Sequence, residues 1–224
     1  MLIRLNKQDV LSRLKASGVV AIFRAESSDG LIEVAEALTK GGVEFVEITM
    51  TVPDALKLIQ QAVEVLGDKL VIGAGTVLDA ATARAAIQVG AGYIISPAVR
   101  PAVIEVCRQQ EIACMPGAMT PTEVLEAWEL GGDVIKIFPA NVAGPQFFKD
   151  LKGPYPQIEL MPTGAVNRET APHYIKAGAC AVGVGGELVS KSLIAARDFD
   201  RISQNAADLI RVVKQAREHM RTGT

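Results

Sequence analysis

The sequence predicts an α/β protein, a (β/α)8 TIM barrel with an N-terminal helix, and three observations carry that prediction. Eight short apolar runs alternate with longer amphipathic stretches. The runs lack strict polar–apolar alternation, and the rhythm continues at even spacing without a linker or a break in composition. Strands covered by helices on both faces read as near-continuous apolar segments. An open doubly wound sheet shares the βαβα order, but the count of eight and the even spacing favour closure. The length of 224 residues suits one such barrel, a single domain spanning residues 1–224.

The strand candidates, in order, are VVAIFR (19–24), FVEITM (45–50), VIGAGTV (71–77), YIISPA (93–98), ACMPGAM (113–119), VIKIFP (134–139), ELMPTG (159–164) and AVGVGG (181–186). A helix around residues 7–17 precedes the first and is placed to plug the bottom of the barrel. After the second strand, Ala55, Leu58, Ile59, Ala62, Val63 and Leu66 recur at the 3.6-residue period of a helix with one apolar face. The last helix repeats the pattern with Ile202, Ala206, Leu209, Ile210 and Val213. Gly41-Gly42, Gly90, Gly131-Gly132 and Gly178 punctuate the helix-to-strand connections, where a left-handed C-cap is expected.

Composition excludes several classes of function. With 23 basic and 25 acidic residues and a net charge of −2, the chain has no basic stripe for nucleic acid. No apolar run approaches the ~20 residues of a membrane span. The opening MLIRLNKQDV lacks the apolar stretch of a secretory signal, so a cytoplasmic protein is expected. Cys107, Cys114 and Cys180 are odd in number and widely spaced, which reads as reduced, buried thiols and not as a disulfide framework or zinc site. Only His173 and His219 are available to a triad or a histidine-rich metal site, and both fall on helices as surface residues. No metal and no cofactor is expected.

Barrel active sites lie at the C-terminal ends of the strands, so polar residues inside strands are the informative ones. Of eleven lysines only Lys136 falls within a strand candidate, flanked by Val134, Ile135, Ile137 and Phe138. Alternation sets Val134, Lys136 and Phe138 on one face and Ile135 and Ile137 on the other. A lysine facing the helix layer would be buried in hydrocarbon, whereas one facing the barrel axis reaches the pocket. Burial disfavours an ammonium ion and favours the neutral amine that attacks a carbonyl. The competing reading is a buried lysine paired with a carboxylate for structural reasons. Glu47 in FVEITM is the matching anomaly, sharing a face with Phe45 and Thr49. Side chains of one barrel layer come from alternate strands, so the second and sixth strands can bring Glu47 and Lys136 together. Glu47 then either neutralises the lysine or serves as a general acid/base, and the two roles are compatible.

The last two strands end in Pro162-Thr163-Gly164-Ala165 and Gly183-Val184-Gly185-Gly186. Barrels often hold a phosphate there on backbone amides. Gly73-Ala74-Gly75-Thr76 is half of a dinucleotide fingerprint, without the third glycine or the acidic residue that follows, and is set aside.

VEITMTVPDA, GAGTV, ISPA, MPGAMTPTE, VIKIFPA and PTGAV, in that order between about residues 8 and 215, resemble the 2-keto-3-deoxy-6-phosphogluconate (KDPG) / 4-hydroxy-2-oxoglutarate (KHG) aldolase family, class I. The resemblance implies a lyase of carbohydrate metabolism, of the Entner–Doudoroff type, cleaving KDPG to pyruvate and glyceraldehyde 3-phosphate. By resemblance Lys136 is the Schiff-base lysine and Glu47 the proton shuttle, while Thr76, Pro97 and Phe138 line the pyruvate pocket. Thr163, Gly164, Ala165, Gly185 and Gly186 then hold the phosphate. It further implies a metal-independent homotrimer acting on a small-molecule 2-keto acid.

Two departures bear on the substrate. Some members carry an arginine where this chain has Met50, and Arg24, at the end of the first strand, is the candidate to grip the substrate carboxylate instead. Members often have a serine after the glycine pair of the last strand and a second glycine in the preceding loop, where this chain has Glu187 and Ala165. A carboxylate beside a phosphate repels it unless it turns away to cap a helix. An aldolase for an unphosphorylated 2-keto-3-deoxy acid or another 4-hydroxy-2-keto acid is therefore the alternative. A sugar-phosphate isomerase or epimerase stands further off, because the paired carboxylates or histidines it would use at several strand ends are missing, and so does a non-catalytic barrel, which would have no reason to bury Glu47 and Lys136.

Overall fold

The computed structural model describes residues 5–24 and 30–222, so the N-terminal segment is described from Leu5 onward. The described elements run α1 (Lys7–Ser17), β1 (Val19–Phe23), α2 (Leu31–Lys40), β2 (Phe45–Thr49), α3 (Ala55–Leu66), β3 (Val71–Gly75), α4 (Ala80–Gln88), β4 (Tyr93–Ile95) and α5 (Pro101–Gln109). They continue with β5 (Ala113–Met115), β6 (Gly117–Ala118), α6 (Pro121–Glu129), β7 (Ile135–Ile137), α7 (Ala140–Lys152), β8 (Leu160–Pro162), α8 (Ala171–Lys176), β9 (Val182–Val184), α9 (Lys191–Ala195) and α10 (Phe199–Thr222).

Each of the eight strand candidates is a strand, and every pairing is parallel. The fifth differs from expectation. ACMPGAM is split into β5 and β6 at Pro116, which has no N–H to give to a ladder. The sheet order is β5-β4-β3-β2-β1-β9, continued by β6-β7-β8. Bridges Leu160↔Ala179 and Thr163↔Gly183 tie the β8 segment to the stretch leading into β9 and to the middle of β9. The Asp133 N–H donates to the Cys114 carbonyl at 2.9 Å and the Lys136 N–H to that of Pro116 at 2.9 Å, carrying the ring across the break. The parallel barrel closes.

Burial explains the unalternated strands. Every residue of β1, β2 and β3 is buried, with one face against the helices and the other against the barrel axis. Val46, Ile48, Ile135 and Ile137 belong to the outer core beneath the helices, whereas Phe45 and Val134 belong to an inner one. That inner core is sealed from below by α1, whose Val10 and Leu14 pack on Val20, Phe45, Val71, Tyr93 and Met161. The Asn6 side chain caps α1 by accepting from the Asp9 N–H at 2.9 Å. Lys7 pairs with Asp133 at 2.7 Å, fastening the plug to the loop before β7.

The C-terminal end also differs from the expected single helix. Short α9 follows the last strand, and α10, 24 residues long, carries the predicted apolar stripe. A glycine at positive φ ends each of four helix–strand connections, at Gly42, Gly90, Gly131 and Gly178. Gly41 and Gly132 are not in that conformation. No helix among the described residues is long and apolar enough to cross a membrane. His173 and His219 are exposed. Cys107 and Cys114 are buried free thiols as expected, while Cys180 is only partly covered.

Candidate active site

Period-two alternation in β2 and β7 turns two charged side chains inward. Glu47 lies in register with Ile22 on one side and Gly73 on the other, and Lys136 lies between Gly117 and Met161. Glu47 is 1% exposed and Lys136 4%. Gly73, Gly75, Gly117 and Gly183 occupy neighbouring inward positions, beside the side chains of Ile22 and Met161. A Cβ on Gly75 would overlap the Glu47 carboxylate, and one on Gly117 would overlap the Pro97 carbonyl. The glycines thus make the chamber in which the two charges sit.

Among the described residues neither Lys136 nor Glu47 forms an ion pair, so the purely neutralising role considered for Glu47 has no salt bridge behind it. The Lys136 Nζ lies 5.4 Å from the centroid of the Phe138 ring, a cation–π distance. Glu47 Oε2 and Thr163 Oγ1 are buried with no hydrogen-bond partner. Such atoms are rare away from sites that bind something. An inward amine, an inward carboxylate and an unpartnered hydroxyl suit attack on a ketone and movement of its protons.

Phe138 links this chamber to the mouth of the barrel. The peptide Phe138–Pro139 is cis. The Phe138 N–H donates to the Ala118 carbonyl at 3.1 Å, and the Ala140 N–H to that of Thr163 at 2.8 Å. The Tyr174 hydroxyl donates to the Ala140 carbonyl at 2.8 Å, bracing the segment from α8. The ring lies against Gly164 and forms a wall of a cleft of about 590 Å³ that also takes in Ile22, Arg24, Thr163, Gly185 and Glu187. The cleft gathers Arg24, Phe138, Thr163, Gly164, Ala165, Gly185 and Gly186. Lys136 and Glu47 do not line it, and Thr76 and Pro97 stand instead at the ends of β3 and β4. Thr76 has φ +57°, a strained conformation for a β-branched residue and one concentrated at functional positions. A depression of about 460 Å³ on the far side, between α3 and α4, holds no comparable set of polar groups.

Ala165 has φ +53° and so keeps the backbone shape a glycine would have there. The Glu187 carboxylate does not cap the helix that follows it. It turns across the cleft and accepts the Arg168 N–H through both oxygens, at 3.1 and 3.0 Å. Next to it, Asn167 Oδ1 accepts the N–H groups of Glu169 and Thr170. The amides ahead of α8 are thus already occupied by side chains. Asn167 and Lys191 on the cleft wall were not foreseen. The signal for Lys191 was a lysine five residues beyond Gly186, at the first position of a short helix.

A profile of the KDPG and KHG aldolase family matches residues 10–205. The chain is 28% identical to a 2-dehydro-3-deoxy-phosphogluconate aldolase of Haemophilus influenzae, over 92% of this chain and 98% of that one. It is 32% identical to a 2-dehydro-3-deoxy-6-phosphogalactonate aldolase of Escherichia coli K12, over 88% and 95%. Among solved structures, native KDPGal superposes with a TM-score of 0.83 at 31% identity, covering 89% of this chain and 96% of that one. The KDPG aldolase of Legionella pneumophila, with pyruvate captured as a covalent carbinolamine, superposes at 0.82 with 27% identity, covering 88% and 95%. The chain belongs to the KDPG and KHG aldolase family and is a lyase of the aldolase type.

Proposed function

We propose that this aldolase cleaves 2-keto-3-deoxy-6-phosphogluconate to pyruvate and glyceraldehyde 3-phosphate through a Schiff base on Lys136, with Glu47 as the proton shuttle. The observation that carries the reading is a lysine 4% exposed, aimed into the barrel and without a carboxylate partner among the described residues. Lys136 Nζ attacks the C2 ketone, and loss of water leaves a protonated imine, an electron sink. Glu47 takes the C4 hydroxyl proton, the C3–C4 bond breaks, and its electron pair passes into the enamine. Proton return at C3 and hydrolysis release pyruvate and free the amine. Thr76, Pro97 and Phe138 surround the pyruvate half. Arg24 meets the carboxylate, and the loops at Thr163, Gly164, Ala165, Gly185 and Gly186 receive the phosphate. A cytoplasmic homotrimer is the corresponding proposal for assembly and place.

One observation favours a second substrate class. The Glu187 carboxylate, bonded to the Arg168 N–H, sets a negative charge beside the proposed phosphate loops, which suits an unphosphorylated 2-keto-3-deoxy acid. The chemistry at Lys136 is the same in both cases. The deciding experiment is incubation with pyruvate, borohydride reduction and peptide mass spectrometry. The adduct is expected on Lys136, and its absence there, or its presence on another lysine, overturns the reading. Comparing phosphorylated with plain 2-keto-3-deoxygluconate then separates the two substrate classes.

A further inference from the structure

Glu47, Gly73 and Tyr93 lie side by side on β2, β3 and β4, linked by the register pairs Glu47↔Gly73 and Gly73↔Tyr93. Residues in register on parallel neighbours face the same way, so Tyr93 shares the inward face of Glu47. Gly73 has no side chain, and the Tyr93 ring uses the room. A Cβ on Gly73 would overlap the Cδ2, Cε2 and Cζ atoms of that ring. Two residues further along β3, a Cβ on Gly75 would overlap the Glu47 carboxylate. The Gly73-Ala74-Gly75 segment, which makes no dinucleotide site, therefore bares the inner face of β3. A phenol folds over it from β4 and a carboxylate from β2.

Both groups end in an atom without a protein partner. The Tyr93 hydroxyl and Glu47 Oε2 are each shielded from solvent and unbonded. One is a donor and the other an acceptor, and leaving either unmatched in the interior is costly. Packing alone does not call for the hydroxyl, because phenylalanine would keep the 5.7 Å ring contact with Phe45. Burial first, and the charge of Glu47 second, push the Tyr93 phenol well above its ordinary range, so it stays a protonated donor at neutral pH.

We propose that Tyr93 is a positioning residue for Glu47: its hydroxyl donates to Oε2 through one bridging water and holds the carboxylate in the orientation from which it exchanges protons with the substrate. This rests on the proposed roles of Lys136 and Glu47. Pyruvate in D2O isolates the step. Once the imine has formed, a C3–H bond breaks, the proton goes to Glu47, and the electron pair enters the enamine. A deuteron then returns by the same route, and loss of the methyl signal reports the rate.

The Tyr93→Phe protein is expected to trap pyruvate with borohydride as the wild type does and to melt at no lower temperature. Its methyl exchange should slow roughly 10- to 100-fold, the size of one hydrogen bond to a charged group. In a Glu47→Gln background the same substitution should add nothing. Exchange within about twofold of wild type overturns the proposal. So does a joint fall in trapping, exchange and melting temperature, which would make Tyr93 a packing residue. Failure of the wild type to trap at all is a different result and refutes the Lys136 reading instead.

Discussion

Replacing Lys136 with methionine is expected to stop the reaction while raising stability, and the structure sets the size of both effects. Methionine keeps the length and flexibility of the side chain without the amine. In the wild type Lys136 is 4% exposed and has no ion-pair partner among the described residues. Taking an amine largely out of water without a carboxylate partner costs about 1–3 kcal/mol. The Phe138 ring, 5.4 Å from Nζ, returns part of that by contact with the side chain. The net is a gain of about 1–2 kcal/mol for methionine. At roughly 2–4 °C per kcal/mol for a domain of this size, the melting temperature should rise by about 2–8 °C. Without the amine no imine forms, and kcat should fall at least about 10⁴-fold, equivalent to about 5.5 kcal/mol of barrier. Scanning calorimetry and a coupled assay of pyruvate release measure the two quantities. A variant that is inactive but clearly less stable would refute the view that Lys136 is kept at a cost for chemistry, and an active one would refute the chemistry.

The Glu187→Gln substitution should raise kcat/KM for the phosphorylated substrate by about fivefold, since removing one exposed like charge near the phosphate is worth about 1 kcal/mol. The plain acid should change by less than about twofold, and an unaltered ratio between the two substrates would remove Glu187 from substrate choice. The Glu123 carboxyl, which completes the capping box of α6, is held below its ordinary 4.5 first by the Met119 N–H and then by the Thr120 hydroxyl and N–H. A depressed carboxyl stabilises the fold above its unfolded pKa and loses that contribution as pH falls through the folded value. The stability gap between wild type and Glu123→Gln should therefore be steady at neutral pH, about 0.5 kcal/mol for so exposed a group, and close below pH 4.5. A gap that persists in acid, read from urea unfolding at several pH values, would exclude the carboxylate as its source.

Much of the site was legible because strand geometry is local. Lys136 and Glu47 stood out as charges inside apolar runs, and a period of two settled which way each points. The loops after β8 and β9 were legible as glycine-rich strand ends. Glu187 was legible only as an anomaly. Its partner, the Arg168 N–H, lies 19 residues away on a neighbouring loop, and no spacing rule predicts that meeting. Pro116 marked itself in the sequence, yet the break it makes in the fifth strand showed only when the ladder partners on both sides were known.

By itself the sequence determined the order of strands and helices, the closed parallel architecture and the inward face of the two charged residues, since periodicity and turn chemistry act over a few residues. Only the tertiary structure decided which side chains share a space. Tyr93 reaches across Gly73 toward Glu47 because β2, β3 and β4 pair in one register, and Phe138 joins the lysine chamber to the cleft because β7 and β8 bring Gly164 beneath its ring. Register and closure are properties of the whole barrel, set by packing between segments far apart in the chain, and a local pattern carries no record of them.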